Sequence, residues 1–392
     1  MPVVALNNVD IVFGGNVAGA LALLDRGVRR EEVIAKTHAI PGAIGINLSV
    51  ERGQICVLMG LSGSGKSTVL RAINRLNRVA RGSVLVEHQG EAVDVTTCSE
   101  GRLREIRMHT VAMVFQQFAL LPWRTVRENV GFGLELRGMG PAERRIIVDE
   151  KLALVGLSSW AEKYSHELSG GMQQRVGLAR AFATDAEILL MDEPFSALDP
   201  LIRDKLQDEL LDLQKKLKKT IVFVSHDLDE ALKLGNSIAI LEGGRIVQWG
   251  TAEDILLRPA DDYVAEFVKH MNPLNVLRGT AVMTPASALP RDGQNVMIES
   301  GWICIRVDAE QRPVGVTLGG REARLATSNA ETGELSAREY DMIVAPVDLT
   351  LRAAIALKRQ TDHPILLVDQ LGRLAGLCGD DEIYRGLLRR DQ

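Results

Sequence analysis

A glycine-rich segment that ends in a lysine and a serine offers the clearest chemistry in this sequence. Residues 60–67 read Gly-Leu-Ser-Gly-Ser-Gly-Lys-Ser and fit the spacing G-x-x-x-x-G-K-[ST]. A β-rich apolar run, 54–59, precedes the segment and a helical pattern, 69–76, follows it. Glycines let backbone N–H groups approach a phosphate, and a helix N-terminus adds partial positive charge. The segment therefore predicts a nucleotide phosphate loop with the binding residues Gly60, Ser62, Gly63, Ser64, Gly65, Lys66, Ser67 and Thr68.

The side chains of this loop have separate predicted roles. Lys66 is expected to reach the β- and γ-phosphates, and Thr68 to lie beside the α-phosphate. Ser67 is expected to offer its hydroxyl to Mg²⁺.

Two adjacent carboxylates end a second apolar run, 188–191. A buried strand would hold the first of them, Asp192, beside Mg²⁺, where it can act through a coordinated water. Glu193 is then placed to orient and deprotonate the water that attacks the γ-phosphate. His226 follows another apolar run, 220–224, at the edge of a parallel sheet where ligands bind. We predict that His226 contacts the γ-phosphate and keeps the water and Glu193 in line.

Several elements must position these residues. Short apolar strands alternate with helical patterns, which predicts a largely parallel α/β sheet. Residues 117–182 are mostly helical in pattern, and single helices are expected over 21–37 and 201–219. Residues 251–272 also look helical. The composition shifts after Val247, and we expect one domain over 1–275 and a separate small α/β region over 276–392.

Composition limits the class of protein. The chain has 392 residues and a net charge of −5, which argues against nucleic-acid binding. Its four cysteines are scattered without a CxxC pair, so a zinc site or disulfide framework is not expected and a reducing compartment is favoured. The sequence has neither an apolar run of about 18 residues nor a signal peptide. We therefore predict a cytoplasmic protein that reaches a membrane only through partners.

Residues 1 to about 250 resemble the nucleotide-binding subunits of ABC transporters. The deciding segment, 168–175, reads Leu-Ser-Gly-Gly-Met-Gln-Gln-Arg and looks like the signature of that family. In the family, this loop opens a helix of one subunit and completes the ATP site of the other. The resemblance implies a P-loop NTPase core with a helical subdomain at about 117–182, an ATPase activity, ATP and Mg²⁺ as cofactors, and a homodimer. It assigns Ser169, Gly170 and Gly171 to the bound ATP.

The same resemblance assigns three further positions. Gln116 matches the glutamine that contacts Mg²⁺ and relays the nucleotide state to the membrane subunit. Asp199 ends the segment 196–199, which matches the loop that crosses the dimer interface. Phe13 matches the aromatic residue that stacks on adenine, although an insertion follows it. Met172 departs from the family, which mostly has glutamine there, and Met cannot make the same hydrogen bonds.

Four features look like the branch that imports quaternary amines such as choline, glycine betaine or proline. They are Met172, the insertion 15–41, and the segments 119–123 and 258–264. This likeness implies two transmembrane permease subunits, a periplasmic or extracellular substrate-binding protein, and a peripheral position at the cytoplasmic face of the cell membrane. Two alternatives stay open: import of another small solute, or a soluble ABC ATPase of translation or DNA repair.

The carboxyl-terminal region resembles cystathionine-β-synthase-type (CBS) repeats. Residues 342–389 fit one strand–helix–hairpin–helix repeat, and 280–325 look like a degenerate first copy. In that family, paired repeats bind adenine nucleotides through G-x-[ST]-x-x-D. Here Cys378 stands where the hydroxyl belongs, and Gly320 stands where the first copy needs its acid. A regulatory sensor and a dimerisation or packing module both remain open for this CBS-like region.

Overall fold

The computed structural model describes residues 2–269, 273–298, 301–328, 335–337 and 339–388. The chain divides into two compact units, Met1–Ala252 and Glu253–Gln392. The sequence predicted a boundary at 275/276 instead. The difference arises because the segment after residue 252 is tied to the second unit, as the hydrogen bond from the Arg278 N–H to Glu253 Oε1 at 3.0 Å illustrates.

The first unit contains two sheets. Its strands are β1 Val4–Phe13, β2 Ile40–Val50, β3 Ile55–Met59, β4 Arg81–His88, β5 Glu91–Asp94, β6 Val111–Val114, β7 Ile188–Asp192, β8 Thr220–Val224, β9 Ser237–Glu242 and β10 Arg245–Gly250. One sheet has the order β2-β1-β4-β5 with antiparallel pairs, and the other has the order β10-β9-β3-β8-β7-β6. In the second sheet β3, β6, β7, β8 and β9 are parallel. Strands β3, β7 and β8 are buried along their whole length, as expected for a sheet that is covered on both faces.

The first unit also contains α-helices. They are α1 Val17–Asp25, α2 Arg30–Thr37, α3 Lys66–Ile73, α4 Glu100–Glu105, α5 Val126–Leu136, α6 Pro141–Leu154, α7 Gly170–Ala183, α8 Pro200–Leu217 and α9 Leu228–Leu234. Helices α5 and α6 lie in the stretch 117–182 that the sequence predicts to be mostly helical, and α7 ends one residue beyond it. Thr125 and Glu128 form a capping box that starts α5. One apolar cluster joins both sheets to α3 and includes Ile46, Leu58 and Leu70.

The prediction of a single helix over 21–37 was wrong. The structure has two helices, α1 and α2, because the chain turns at Gly27, whose φ of 74° favours glycine. Asn16 caps α1 by accepting the Gly19 N–H at 2.9 Å. The two helices pack on the ends of β1 and β2 through a cluster that includes Val12, Leu24 and Val33. The insertion is therefore a small helical hairpin anchored beside Phe13.

Helix α10, Ala252–Leu257, begins at the last residue of the first unit and continues into the second. The second unit also carries α11 Asp262–Val268, α12 Gly279–Val282, α13 Leu351–Lys358 and α14 Asp380–Leu388. Its strands are β11 Thr284–Pro285, β12 Arg291–Asp292, β13 Asn295–Ile298, β14 Ile303–Val307, β15 Pro313–Leu318, β16 Arg321–Glu322, β17 Leu325–Thr327, β18 Met342–Pro346, β19 Ile365–Val368 and β20 Leu374–Cys378. They form sheets of order β11-β20-β19-β18-β17 and β12-β13-β14-β15-β16.

These two sheets differ from the two predicted repeats. The order β18-α13-β19-β20-α14 follows the strand–helix–hairpin–helix pattern expected for 342–389. The described residues of the predicted first copy, 280–325, instead begin with the end of the short helix α12 and continue as an antiparallel meander of β12 to β16. Strand β14 of this meander illustrates the pattern, because its buried residues Ile303 and Ile305 alternate with less buried ones. Such an alternation with a period of two residues is typical of a β-strand. Among all residues that the structure describes, no helix is both long and apolar enough to cross a membrane.

Candidate functional site

The phosphate loop connects the end of β3 to the start of α3. Gly60 and Gly65 have φ of 141° and 101°, and a Cβ on Gly60 would lie 2.2 Å from the Leu241 carbonyl oxygen. Glycine is therefore required there. Ser62 and Gly63 are exposed at the tip, whereas Ser64 is buried and its Oγ has no hydrogen-bond partner among the described residues. In this conformation of the loop the Ser64 hydroxyl is shielded from water.

The Lys66 amine lies inside this loop. It donates to the carbonyl oxygens of Gly60 and Leu61, both at 2.8 Å, and the residue is buried. Burial lowers the pKa of the amine, and the charges of Glu193 and Asp192 act in the opposite direction. An anionic phosphate would stabilise the charged form, as the phosphate-loop assignment requires.

Asp192 ends β7 and is fully buried. Its Oδ1 accepts the Ser67 hydroxyl at 2.7 Å, and its Oδ2 accepts Arg71 Nη2 at 2.8 Å. Carboxylate and hydroxyl oxygens are hard ligands of the kind that Mg²⁺ prefers, usually together with phosphates and waters. The Ser67–Asp192 pair therefore fits the magnesium ion expected from the sequence.

Glu193 follows immediately but points to different partners. Its Oε2 accepts Gln116 Nε2 at 3.1 Å and lies 3.5 Å from His226 Nδ1. The Glu193 N–H donates to the Val224 carbonyl at 3.1 Å, so the ends of β7 and β8 are joined directly before these side chains. The structure thus brings together Glu193, predicted to activate the water, His226, predicted to hold that water in line, and Gln116, predicted to contact Mg²⁺. The His226 side chain is 63% exposed, which leaves it accessible to a ligand.

The signature segment makes its hydrogen bonds locally. Ser169 caps α7 by accepting the Met172 N–H at 3.4 Å, and Asp199 caps α8 by accepting the Ile202 N–H at 3.1 Å. Gly170 is exposed at the start of α7. In the described part of the chain, Ser169 and Asp199 are therefore engaged with their own helices and not with the phosphate loop.

Sequence reasoning missed Gln174, a buried residue of α7. Its Nε2 donates to the Glu193 carbonyl at 3.0 Å, and its Oε1 accepts the Ala197 N–H at 3.1 Å. It is 1% exposed, so both bonds are shielded from water. The sequence did contain a signal for Gln174. Leu178 follows four residues later, so the two residues share one face of α7, and that face is buried.

Phe13 ends β1 opposite Ile40 and is 39% exposed. A Cβ on Gly42 would lie 2.6 Å from Phe13 Cε2 and 3.1 Å from Thr68 Cγ2. Gly42 therefore lies between the aromatic ring and the phosphate-loop helix. Sequence reasoning also missed this residue, although a glycine inside a strand often marks a close approach of a ligand or another chain segment.

The comparisons with known proteins agree with this site. A family model described as ABC transporter matches residues 44–196. A solved dimer of an ATP-binding cassette bound to ADP and Pi is 32% identical, with a TM-score of 0.55 over 63% of this chain and 98% of that chain.

Curated relatives cover more of the chain. The glycine betaine transport ATP-binding protein OpuAA of Bacillus subtilis is 39% identical over 98% of this chain and 91% of its own length. The glycine betaine/proline betaine transport system ATP-binding protein ProV of Escherichia coli is 46% identical over 72% of this chain and 74% of its own length. The chain belongs to the ATP-binding proteins of ABC transporters, which are ATPases coupled to solute transport, and it is such an ATPase.

Proposed function

We propose that this chain is the energy-coupling subunit of an ABC importer for quaternary amines such as choline, glycine betaine or proline. The arrangement around Glu193 supports the catalytic part, because Gln116 and His226 converge on one carboxylate beside the buried Asp192. The substrate class rests on relatives whose names contain glycine betaine.

In this proposal the phosphate loop, from Gly60 to Thr68, binds the phosphates of ATP, and Phe13 stacks on adenine. Ser67, Asp192 and Gln116 would hold Mg²⁺, which neutralises phosphate charge when it is bound. Glu193 accepts the proton of the attacking water, and His226 holds that water in line. The 3.5 Å contact between His226 and Glu193 supports this division of roles.

We also propose that two copies form the working ATPase. Ser169, Gly170 and Gly171 would bind the γ-phosphate held by the other copy, and the loop ending at Asp199 would cross between them. Their local hydrogen bonds and the exposed Gly170 support this, since a helix N-terminus with available N–H groups suits an anion. The similar solved cassette is itself a dimer.

The proposed partners are two transmembrane permease subunits and an extracellular or periplasmic substrate-binding protein, with this chain at the cytoplasmic face of the membrane. A groove of about 260 Å³ between the sheet and the helices supports a permease contact. Phe115, next to Gln116, lines this groove together with Phe132 and Arg180. A permease segment placed there would be one residue from the glutamine that touches Glu193.

The second unit is proposed to be a CBS-like regulatory or dimerisation region. The single strand–helix–hairpin–helix order of 342–388 supports the likeness. Burial raises the pKa of the Cys378 thiol to about 12, with the Glu382 carboxylate acting in the same direction. This side chain is therefore a neutral apolar group where the family places a hydroxyl.

Uptake of labelled choline, glycine betaine and proline tests the proposal in cells with the intact protein or with Glu193→Gln. The carboxamide cannot accept the proton, so we expect the variant to lose uptake of the transported amine by more than about 100-fold. Equal expression of both proteins is the control. Unchanged uptake of all three compounds would contradict the amine assignment, whereas robust ATP turnover by the purified variant would contradict the role of Glu193.

A further inference from the structure

We propose that Arg203 is a positioning residue that joins the loop carrying His226 to the segment 196–199 at the proposed dimer contact. The inference rests on the proposed function, because the task that it assigns to Arg203 is to place His226 for ATP hydrolysis.

Arg203 lies one turn into α8, and its main-chain N–H donates to the Asp199 carbonyl oxygen at 2.9 Å. Its guanidinium contacts two other segments. Nη2 donates to the Leu198 carbonyl at 3.3 Å, and Nη1 donates to Asp227 Oδ2 at 3.2 Å. Arginine suits this task because its planar fork directs several donors at fixed angles.

The loop around His226 is held on both sides, and one of the two residues that hold it, Asp227, is a partner of this arginine. Asp227 Oδ1 accepts the N–H groups of Asp229 and Glu230 and caps α9. Ser225 Oγ accepts the Asp227 N–H at 2.9 Å and donates to Glu230 Oε2 at 2.6 Å. His226 is therefore positioned by its two neighbours in the chain, while its own ring remains largely exposed.

Glu230 completes the connection below this loop. The residue is buried, its Oε1 accepts Gln207 Nε2 at 3.2 Å, and the same oxygen lies 4.0 Å from Arg203 Nε. Gln207 is four residues after Arg203, so both face α9 from one side of α8. Without the arginine, the carboxylates of Asp227 and Glu230 would face each other with no compensating charge from this helix.

A small polar cavity lies at the centre of this network. Its volume is about 20 Å³, enough for one water, and its lining comprises Glu193, Ser196, Arg203, Ser225, His226, Asp227 and Glu230. The segment 196–199, the His226 loop and the catalytic carboxylate thus meet around one point. A shift of Leu198 on approach of the second copy would move Asp227 through Arg203, and His226 with it.

Steady-state ATP hydrolysis by the intact chain tests this inference, with Arg203→Met, Asp227→Asn and the double variant. A hydrogen bond to a charged group is stronger than one between neutral groups, so the loss of the one between Arg203 and Asp227 should displace His226. We therefore expect each single change to lower kcat about tenfold and to leave KM within about twofold of the wild-type value. Because both changes remove the same link, the double variant should resemble either single variant. Arg203→Lys, which can reach one partner, should recover part of the loss.

The matched control is Lys205→Met on the same helix, where Lys205 makes a 3.9 Å contact with Glu209. Its kcat should stay within about twofold of wild type. Asparagine caps a helix as well as aspartate, so Asp227→Asn tests the link even if Arg203→Met does not fold.

Three results would overturn the inference. They are an unaltered kcat in folded Arg203→Met or Asp227→Asn, a double variant whose loss is the product of the single losses, and losses that simply follow melting temperature. These results differ from a failure of the proposed function. A wild-type chain without ATPase activity would overturn the proposed function and this inference together, whereas the three results above require an active wild-type chain.

Discussion

Two neighbouring acids, Asp192 and Glu193, have different environments although they share one strand end. Asp192 still belongs to β7, is fully buried and pairs with Ser67 and Arg71. Glu193 has a φ of 47°, a left-handed conformation that costs a non-glycine residue about 1 kcal/mol. The cost is offset by bonds from Gln174 to its carbonyl and from Gln116 to its side chain. This turn separates a carboxylate suited to a metal from one suited to a water.

At the residue scale, Gly42 should control how Phe13 meets the nucleotide. In Gly42→Ala the new methyl group would lie 2.6 Å from Phe13 Cε2, so the ring must move. We expect KM for ATP to rise about tenfold, since crowding of this kind costs about 1–3 kcal/mol. The measurement is ATP hydrolysis against ATP concentration.

Gly101→Ala is the matched control for that substitution. The nearest atom to its added Cβ is Ser99 Oγ at 4.0 Å, so its KM should not change. Equal KM values for the two variants would remove Gly42 from the nucleotide site.

The residues that a linear motif specifies were predictable from the sequence. The phosphate loop, the acids at the end of β7 and His226 after β8 all lie at the ends of strands that their apolar patterns reveal. Gln174, Gly42 and Arg203 were not predictable in the same way. Gln174 is 19 residues from its partner Glu193, Gly42 is 29 residues from Phe13, and Arg203 is 24 residues from Asp227. Only the packing of separate elements brings each pair together.

At the element scale, the parallel pairing of β7 and β8 determines where the catalytic groups meet. Asp192 pairs with Val224 in register, so the residues that follow both strands emerge at the same edge. The strand and helix patterns were sufficient to predict this edge. They were insufficient for the insertion, where one continuous helical pattern concealed the turn at Gly27.

The contact between α8 and α9 gives an element-scale prediction about pH. Burial raises the pKa of Glu230, and the Ser225 hydrogen bond and the Arg203 charge oppose this shift. The folded chain therefore holds this proton more tightly than the unfolded chain. The contribution of Glu230 to stability falls as pH rises from its unfolded pKa through its folded pKa.

Glutamine cannot ionise, so Glu230→Gln should gain stability relative to wild type as pH rises from about 4 to 8. Denaturant unfolding of both proteins across this range measures the difference. Glu143→Gln, on an exposed residue of α6, serves as the control and should show no such trend. A difference that is constant with pH would contradict the assigned burial effect.

At the scale of the whole molecule, the division into two units leads us to expect that ATP hydrolysis needs only the first unit. The site residues from Phe13 to His226 all lie in the first unit, Met1–Ala252. A chain that ends at Ala252 should therefore still fold and hydrolyse ATP. If the CBS-like region senses ionic strength, the salt dependence of hydrolysis should be weaker in this truncated chain.

Parallel salt titrations of the full and truncated chains measure that dependence. Melting temperatures at each salt concentration control for stability. Identical salt profiles would contradict the sensing role and leave the second unit as a dimerisation or packing region.

Helix α7 has one further consequence. Its first residues are proposed to bind the ATP of the other copy, while Gln174, one turn later, holds the main chain of Glu193 in its own copy. A rigid helix cannot adjust one end without moving the other. If the first residues of α7 bind that ATP, occupation of one site would change the free energy of ATP binding at the second, and the two sites would act cooperatively. The rate of ATP consumption would then rise more steeply than the first power of ATP concentration.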